Sequence, residues 1–194
     1  MNKKYELTDE TKEYNGITLH RIKALRDFGY IKKDDLGGWI EKEDNLSHEG
    51  NCWIYNDAIL FGNAWVFGDV WVYGNARVYG NARVCDNALV GGNARVYGNA
   101  LVGGNARVFS DAKIRTKGYI NSIDSYITIG PIGSRDDYTT FYLDKDNNIL
   151  VSCGCFNDTI DKFKEEVIKV HKNNKYAKQY LGIIEYVKTI LGDK

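Results

Sequence analysis

From Cys52 to Ile120 the chain repeats every six residues, and this period restricts its fold more than any other feature. An aliphatic residue stands at Ile54, Leu60, Val66, Val72, Val78, Val84, Val90, Val96, Val102, Val108, Ile114 and Ile120 with no change of step. Two positions before each lies a mostly small residue, from Cys52, Ala58 and Ala64 through Val70 and Ala76 to Ala112 and Gly118. Gly-Asn, Gly-Asp or Asp-Asn recurs between units, and these residues accept corner conformations. In Ala-Arg-Val the Ala and Val point to one side of a short strand and the Arg to the other. Short repeats of this kind stack into a parallel β-helix. At three units per coil, 18 residues close one turn and the stretch makes about four coils, ~4.8 Å apart. Each buried Val contributes roughly 1.5–3 kcal/mol.

Three outward faces follow from taking every third unit. One carries Arg77, Arg95 and Lys113 beside Tyr79 and Tyr97, a basic and aromatic face suited to a nucleotide or simply to solvent. The second carries Trp53, Trp71, Leu89 and Arg107. The third carries Trp65, Arg83, Leu101 and Tyr119. Faces with Trp53, Trp65, Trp71, Leu89 and Leu101 should be covered, either by the tail helices or by further copies of the chain. A homodimer or homotrimer is the expected assembly.

The flanks do not repeat. In residues 1–51, Tyr5-Glu6-Leu7-Thr8 and Ile17 to Ile22 read as strands around an Asn15-Gly16 turn, and Leu36 to Ile40 as a turn with apolar residues. This part reads as a β cap over the first coil, whose strand edges would otherwise stand open. After a solenoid ending near residue 122, residues 123–194 read as three strands and two helices. The strands are Tyr126–Ile129, Tyr138–Leu143 and Ile149–Cys153, with Gly130 to Asp137 as a loop. The first helix begins at Asn157 or Asp158, with Ile160, Phe163, Val167 and Val170 inward. The second runs from about Asn174 to Leu191, with Tyr176, Tyr180, Ile183, Ile184, Val187, Ile190 and Leu191 inward.

Lys plus Arg and Asp plus Glu each total 26 of 194 residues. A net charge near zero argues against general nucleic-acid or acidic-membrane binding. No apolar run approaches the ~20 residues of a membrane span, and the first residues lack a signal-peptide core. With four cysteines at no zinc-site spacing, these features fit a cytoplasmic protein with reduced thiols and no resident metal or cofactor. Cys153-Gly154-Cys155 reads as small residues at a strand end rather than a redox pair.

The repeat resembles the hexapeptide-repeat proteins, in which an aliphatic residue follows a small one by two positions. That resemblance implies a left-handed, single-stranded parallel β-helix. Together with the flanks, the expected class is mainly β, with a small N-terminal β cap and a C-terminal α+β (βββαα) domain. The chain also resembles phage and prophage proteins that join such repeats to a distinctive tail. The matching elements are Ile129-Gly130-Pro131-Ile132-Gly133-Ser134-Arg135, Tyr138-Thr139-Thr140-Phe141, Cys153-Gly154-Cys155-Phe156 and, upstream, Asp35 to Ile40 with Asn45 to His48. This second resemblance implies an infected or lysogenic bacterial host, without a mechanism.

Hexapeptide-repeat enzymes are mostly acyltransferases with a His base and a loop extruded from the coils. Here His20, His48 and His171 all lie outside the repeat, and the unbroken step leaves no room for an extruded loop. We therefore assign no catalytic residue. The best local candidate is the segment Gly130 to Arg135. Its glycines would let backbone N–H groups converge, while Ser134 adds a hydroxyl and Arg135 a two-pronged cation, a combination that suits phosphate or carboxylate. A plain turn with Arg135 paired to Asp136 or Asp137 is the competing reading. The sequence favours a non-enzymatic, counter-defence binder that sequesters a phosphate-bearing nucleotide. Gly130, Gly133, Ser134 and Arg135 would hold the phosphate, and Tyr138 or the Tyr79 and Tyr97 ladder would face the base. The alternative is an inhibitor or scaffold that grips a host defence protein through its aromatic faces. An acyltransferase is the third.

Overall fold

The computed structural model describes residues 3–192. β1 (Tyr5–Tyr14) and β2 (Ile17–Ala24) form an antiparallel hairpin, and β3 (Leu36–Ile40) continues their sheet. Then come twelve two-residue strands, β4 (Trp53–Ile54) to β15 (Tyr119–Ile120), one per six-residue unit. They stack as three parallel sheets, and the register matches the faces expected from the sequence: Arg77 beside Arg95, Trp71 beside Leu89, Arg83 beside Leu101. The result is a parallel β-solenoid of about five turns, mainly β.

The periodicity works because each unit repeats one set of interactions. The Ala and aliphatic columns are buried along the axis. Backbone N–H groups reach carbonyls on the next coil 17 residues further on, as in Arg77 to Ala94 and Tyr79 to Val96 at 2.9 and 3.0 Å. The corners carry amide ladders: Asn63 donates to Asn81 and Asn81 to Asn99 at 3.2 and 3.0 Å. A second ladder runs from Asn75 through Asn93 to Asp111.

The coil frame also reaches back before Cys52. Trp39 pairs with Ile59 and Leu46 with Val66, two residues more than the offset that pairs Trp53 with Trp71. The extra residues fall between Leu46 and Trp53, which hid this partial coil from a strict six-residue count. Trp53 is not an open surface: it is fully buried under Phe28 and Tyr5, with ring centroids at 5.4 and 6.3 Å. The N-terminal segment covers it, where the sequence had suggested tail helices or another copy.

The C-terminal part is a four-stranded antiparallel sheet with two helices. Its strands are β16 (Tyr126–Ile132), β17 (Asp137–Leu143), β18 (Ile149–Cys153) and β19 (Phe156–Thr159). Two sequence expectations are corrected here. Gly130 to Ile132 belong to a strand, and the turn is shorter, Gly133 to Asp136. Asn157 and Asp158 are paired with Ser152 and Val151 as a fourth strand, so α1 (Ile160–His171) starts later, with the Thr159 hydroxyl accepting the N–H of Lys162. Val170 is 58% exposed instead of inward. On α2 (Lys175–Leu191), capped by Asn174, Ala177 is buried and Tyr176 only partly so.

Both helices pack on their own sheet around Phe141, Val151, Phe163 and Ile184. The other side of that sheet closes the last coil in cis. Gly118 replaces the usual Ala there: a Cβ would sit 2.6 Å from Ile114 and 3.0 Å from the Tyr142 ring. Tyr142 is fully buried in the solenoid core, its hydroxyl accepting from Asn157, and burial pushes its phenol up to about 12.

Candidate functional site

The Gly133 to Asp136 turn carries the residues singled out for anion binding, and the structure assembles them differently from the sequence expectation. Gly133 takes φ +72°, and its N–H donates to the Gln179 side chain at 2.9 Å. Its missing Cβ is also the space into which the Tyr180 hydroxyl packs. Gly130 is pressed against Tyr138, whose Cα would lie 2.7 Å from an added Cβ. Pro131 has no N–H. The Gly133 N–H is therefore engaged within the chain and Pro131 offers none, and Tyr138 lines neither cleft at the turn.

Ser134 and Arg135 remain exposed. They rim a cleft of about 260 Å³ with Cys155, Glu166 and His171, over a floor that includes Phe156, Phe163 and Tyr180. The guanidinium of Arg135 occupies the space where Gly154 lacks a side chain. It makes no ion pair among the described residues; Lys113, not Arg135, holds Asp137, at 3.2 Å. Tyr180 is stacked on His171 with centroids at 5.8 Å and stands edge-on to Phe163 at 5.4 Å. Burial first, then the neighbouring Cys153 thiol, pushes its phenol well above the ordinary value. On the other side of the turn, Ser134 and Asp136 share a wider cleft of about 810 Å³ with Lys175, Lys178 and Gln179. Two lysines in the first turns of a helix oppose its dipole, whose N-terminal end favours anions. Lys175 and Lys178 were not singled out from sequence, which placed His171 at the end of the first helix and Tyr180 on the inward stripe of the second without joining either to the turn. The lysines at the start of an otherwise amphipathic helix were the one available signal.

The basic face is largely engaged within the chain. Arg77 donates to the Tyr14 hydroxyl at 2.6 Å and lies over its ring. Lys113 pairs with Asp137, and its N–H reaches Thr140 at 3.0 Å. Tyr79 is stacked between Phe61 and Tyr97 at 4.8 and 4.7 Å, and Arg115 covers Tyr97. Only Arg95 stands exposed between the two covered ends. On the other faces, Trp65 is 41% exposed and stacked on Phe67, while Trp71, Leu89 and Leu101 are half-buried.

His48 stacks on Tyr5 at 4.3 Å in the cap. Its Nδ1 accepts the N–H of Lys4 at 3.2 Å, so its other nitrogen carries the proton and faces Glu43 at 3.8 Å. No lone pair is left for a substrate proton. Burial lowers the pKa of His48 below 6.5, and the Lys3 ion pair lowers that of Glu43 below 4.5. Both groups are depressed on folding, so each adds stability above its unfolded value that is lost as pH falls through its folded value. The melting temperature is expected to fall between pH 7.5 and 5.5, and His48→Phe to flatten that step in circular-dichroism melts. An unchanged slope in the variant would remove His48 from this account.

Among the described residues, no helix is long and apolar enough to cross a membrane, and no group of three or more His, Cys, Asp or Glu is placed to hold a metal.

Comparison with known proteins gives matches to the repeat. The family described as YdcK β-solenoid repeat matches residues 72–86, 76–92, 82–98 and 88–104, all on the coils. A protein of Escherichia coli (strain K12) named Uncharacterized acetyltransferase YdcK is 37% identical over 68 residues, 30% of this chain. The match spans 21% of that protein. The solenoid seen in the fold is thus also similar in sequence to the YdcK repeat.

Proposed function

We propose that this protein is a non-enzymatic binder that holds a small phosphate-bearing molecule, a nucleotide signal, at the Ser134–Arg135 turn. The observation that carries this reading is a guanidinium with no ion pair among the described residues, beside a cleft floored by Phe156, Phe163 and Tyr180. Aromatic walls suit a base, and a charge-assisted pair with Arg suits its phosphate. Tyr180 takes the stacking role that the sequence had given to Tyr138. The resemblance to phage proteins supports the setting: a counter-defence factor in the host cytoplasm that sequesters the signal. Isothermal titration with cyclic di- and trinucleotides and ADP-ribose derivatives tests it. Arg135→Ala should weaken the bound member ~10-fold or more, the scale of a hydrogen bond to a charged group. No heat with any member would end this reading.

The exposed Trp65 and Tyr119 on one face favour a second reading, a protein-binding surface or a homodimer or homotrimer contact. Trp65→Ala should then weaken association in sedimentation runs and leave nucleotide binding intact. The name of the Escherichia coli relative raises acetyl transfer as a third. Turnover of acetyl-coenzyme A, lost on changing a histidine, would establish it over binding alone.

A further inference from the structure

A separate concavity, of about 330 Å³, lies on the Trp71 face. It is built on a tight turn. Phe28 and Ile31 exchange both backbone hydrogen bonds, at 3.0 and 2.8 Å, and Gly29 takes the first corner at φ +50°. Phe28 and Ile31 are buried in the core, which clamps the base of the turn. Its tip, Tyr30, stands 83% exposed. The packing of the cap does not need a tyrosine there.

Tyr30 and Tyr55 address the same indole. Their centroids lie 5.8 and 6.0 Å from Trp71, at interplanar angles of 83° and 68°. The two tyrosines make no ring contact with each other, so they stand as side walls on a shared back wall. Leu89 adds apolar lining, and Asp69 lies at the rim. The Asp69 Oδ1 accepts from Asn51 twice, at 3.0 and 2.8 Å, and Oδ2 makes no hydrogen bond among the described residues. Asp35 lies near enough to Tyr55 to add to the effect of burial in raising its phenol. No Lys or Arg lines the cavity. Lys4, which feels Asp69 from within the core, and Arg107, one rung beyond Leu89, lie outside it.

Ring faces are electron-rich and attract cations, most strongly where water is excluded. A primary ammonium would lose strong hydration in such a box and find few acceptors. A quaternary ammonium is weakly hydrated, donates no N–H hydrogen bond and matches three aromatic walls with a carboxylate at the edge. We infer that Tyr30, Tyr55, Trp71 and Asp69 form a cage for the quaternary ammonium group of a choline-type molecule. This site shares no residue with the Ser134–Arg135 turn and does not depend on it.

Titration calorimetry with choline and tetramethylammonium chlorides tests the cage. The control is the neutral carbon analogue of choline, in which carbon replaces the charged nitrogen. Both cations should saturate with Kd about 1 mM or tighter, and the neutral analogue should bind at least ~10-fold more weakly. Tyr30→Ala should weaken choline ~5-fold or more with an unchanged melting temperature, and Tyr30→Phe should restore it. Co-sedimentation with phosphatidylcholine vesicles would identify a lipid headgroup as the source. Retained choline binding without co-sedimentation would identify a free small molecule. Equal affinity for the neutral analogue, or no saturation by about 50 mM in a protein that melts cooperatively, would overturn the inference.

Discussion

Replacing Val96 with Asp is expected to leave no cooperatively melting solenoid, while Arg95→Asp, one residue away, should be nearly silent. Val96 is fully buried between Val78 and Ile114 in the axial column. An unpaired carboxylate there would lose its hydration with no partner, a cost of several kcal/mol. Whole domains are stable by only about 5–15 kcal/mol. The site is also central. Each coil is held by its immediate neighbours, so a broken middle rung removes support from both sides. Arg95 points outward from the same strand, exposed and with no ion pair among the described residues, between Arg77 and Lys113. Its replacement should change stability by no more than about 0.5 kcal/mol. Thermal and urea melts followed by circular dichroism distinguish the two. A Val96→Asp protein that melts like the parent would mean that the inward and outward positions are wrongly assigned.

The second large effect is expected at Lys4, a fully buried lysine. Along this column each carbonyl is met by the rung before it: Val70 receives the N–H of Trp53, and Ala88 that of Trp71. Cys52 begins the column and has no such rung. The Lys4 ammonium takes its place, 2.9 Å from the Cys52 carbonyl and 3.2 Å from its sulfur, with the Gly50 and Glu49 carbonyls at 3.4 and 3.5 Å. Burial lowers the lysine pKa and raises that of the thiol. Truncation to Ala strips these acceptors and opens a cavity, and should cost about 3–5 kcal/mol. Lys4→Met refills the volume but supplies no donor, so its stability should fall between the other two. Urea midpoints in any other order would show that Lys4 is a bystander rather than the end cap of the sheet.

The solenoid could be read from the sequence because its determinants are local. A six-residue step fixes which side chains point inward and which faces align, whatever the rest of the chain does. The flanks lacked that guide. Phe156–Thr159 is a strand because β18 offers it a ladder, and nothing in Asn157-Asp158-Thr159 alone distinguishes a strand from a helix start. The partial coil at Trp39 escaped notice because two extra residues shift its phase. At the candidate site, Ser134 and Arg135 were visible as a Gly-flanked polar pair. Tyr180 reaches them only because α2 packs back over the turn, and His171 only because α1 ends beside the same cleft; the neutralisation of Lys113 by Asp137 depends on the tail closing the last coil.

The repeat that fixes the solenoid also makes its length a quantised spacer. The N-terminal turn that carries Tyr30 and the C-terminal turn that carries Arg135 are anchored to opposite ends of one stack. Eighteen more residues would lengthen the stack by one rung, ~4.8 Å, and leave both turns above the faces they now occupy. Six more would add only a third of that rise and swing one end about a third of a turn around the axis relative to the other. A chain of this design can thus change the distance between its ends in whole rungs without rebuilding either, whereas insertions of other lengths also change the direction in which the ends point.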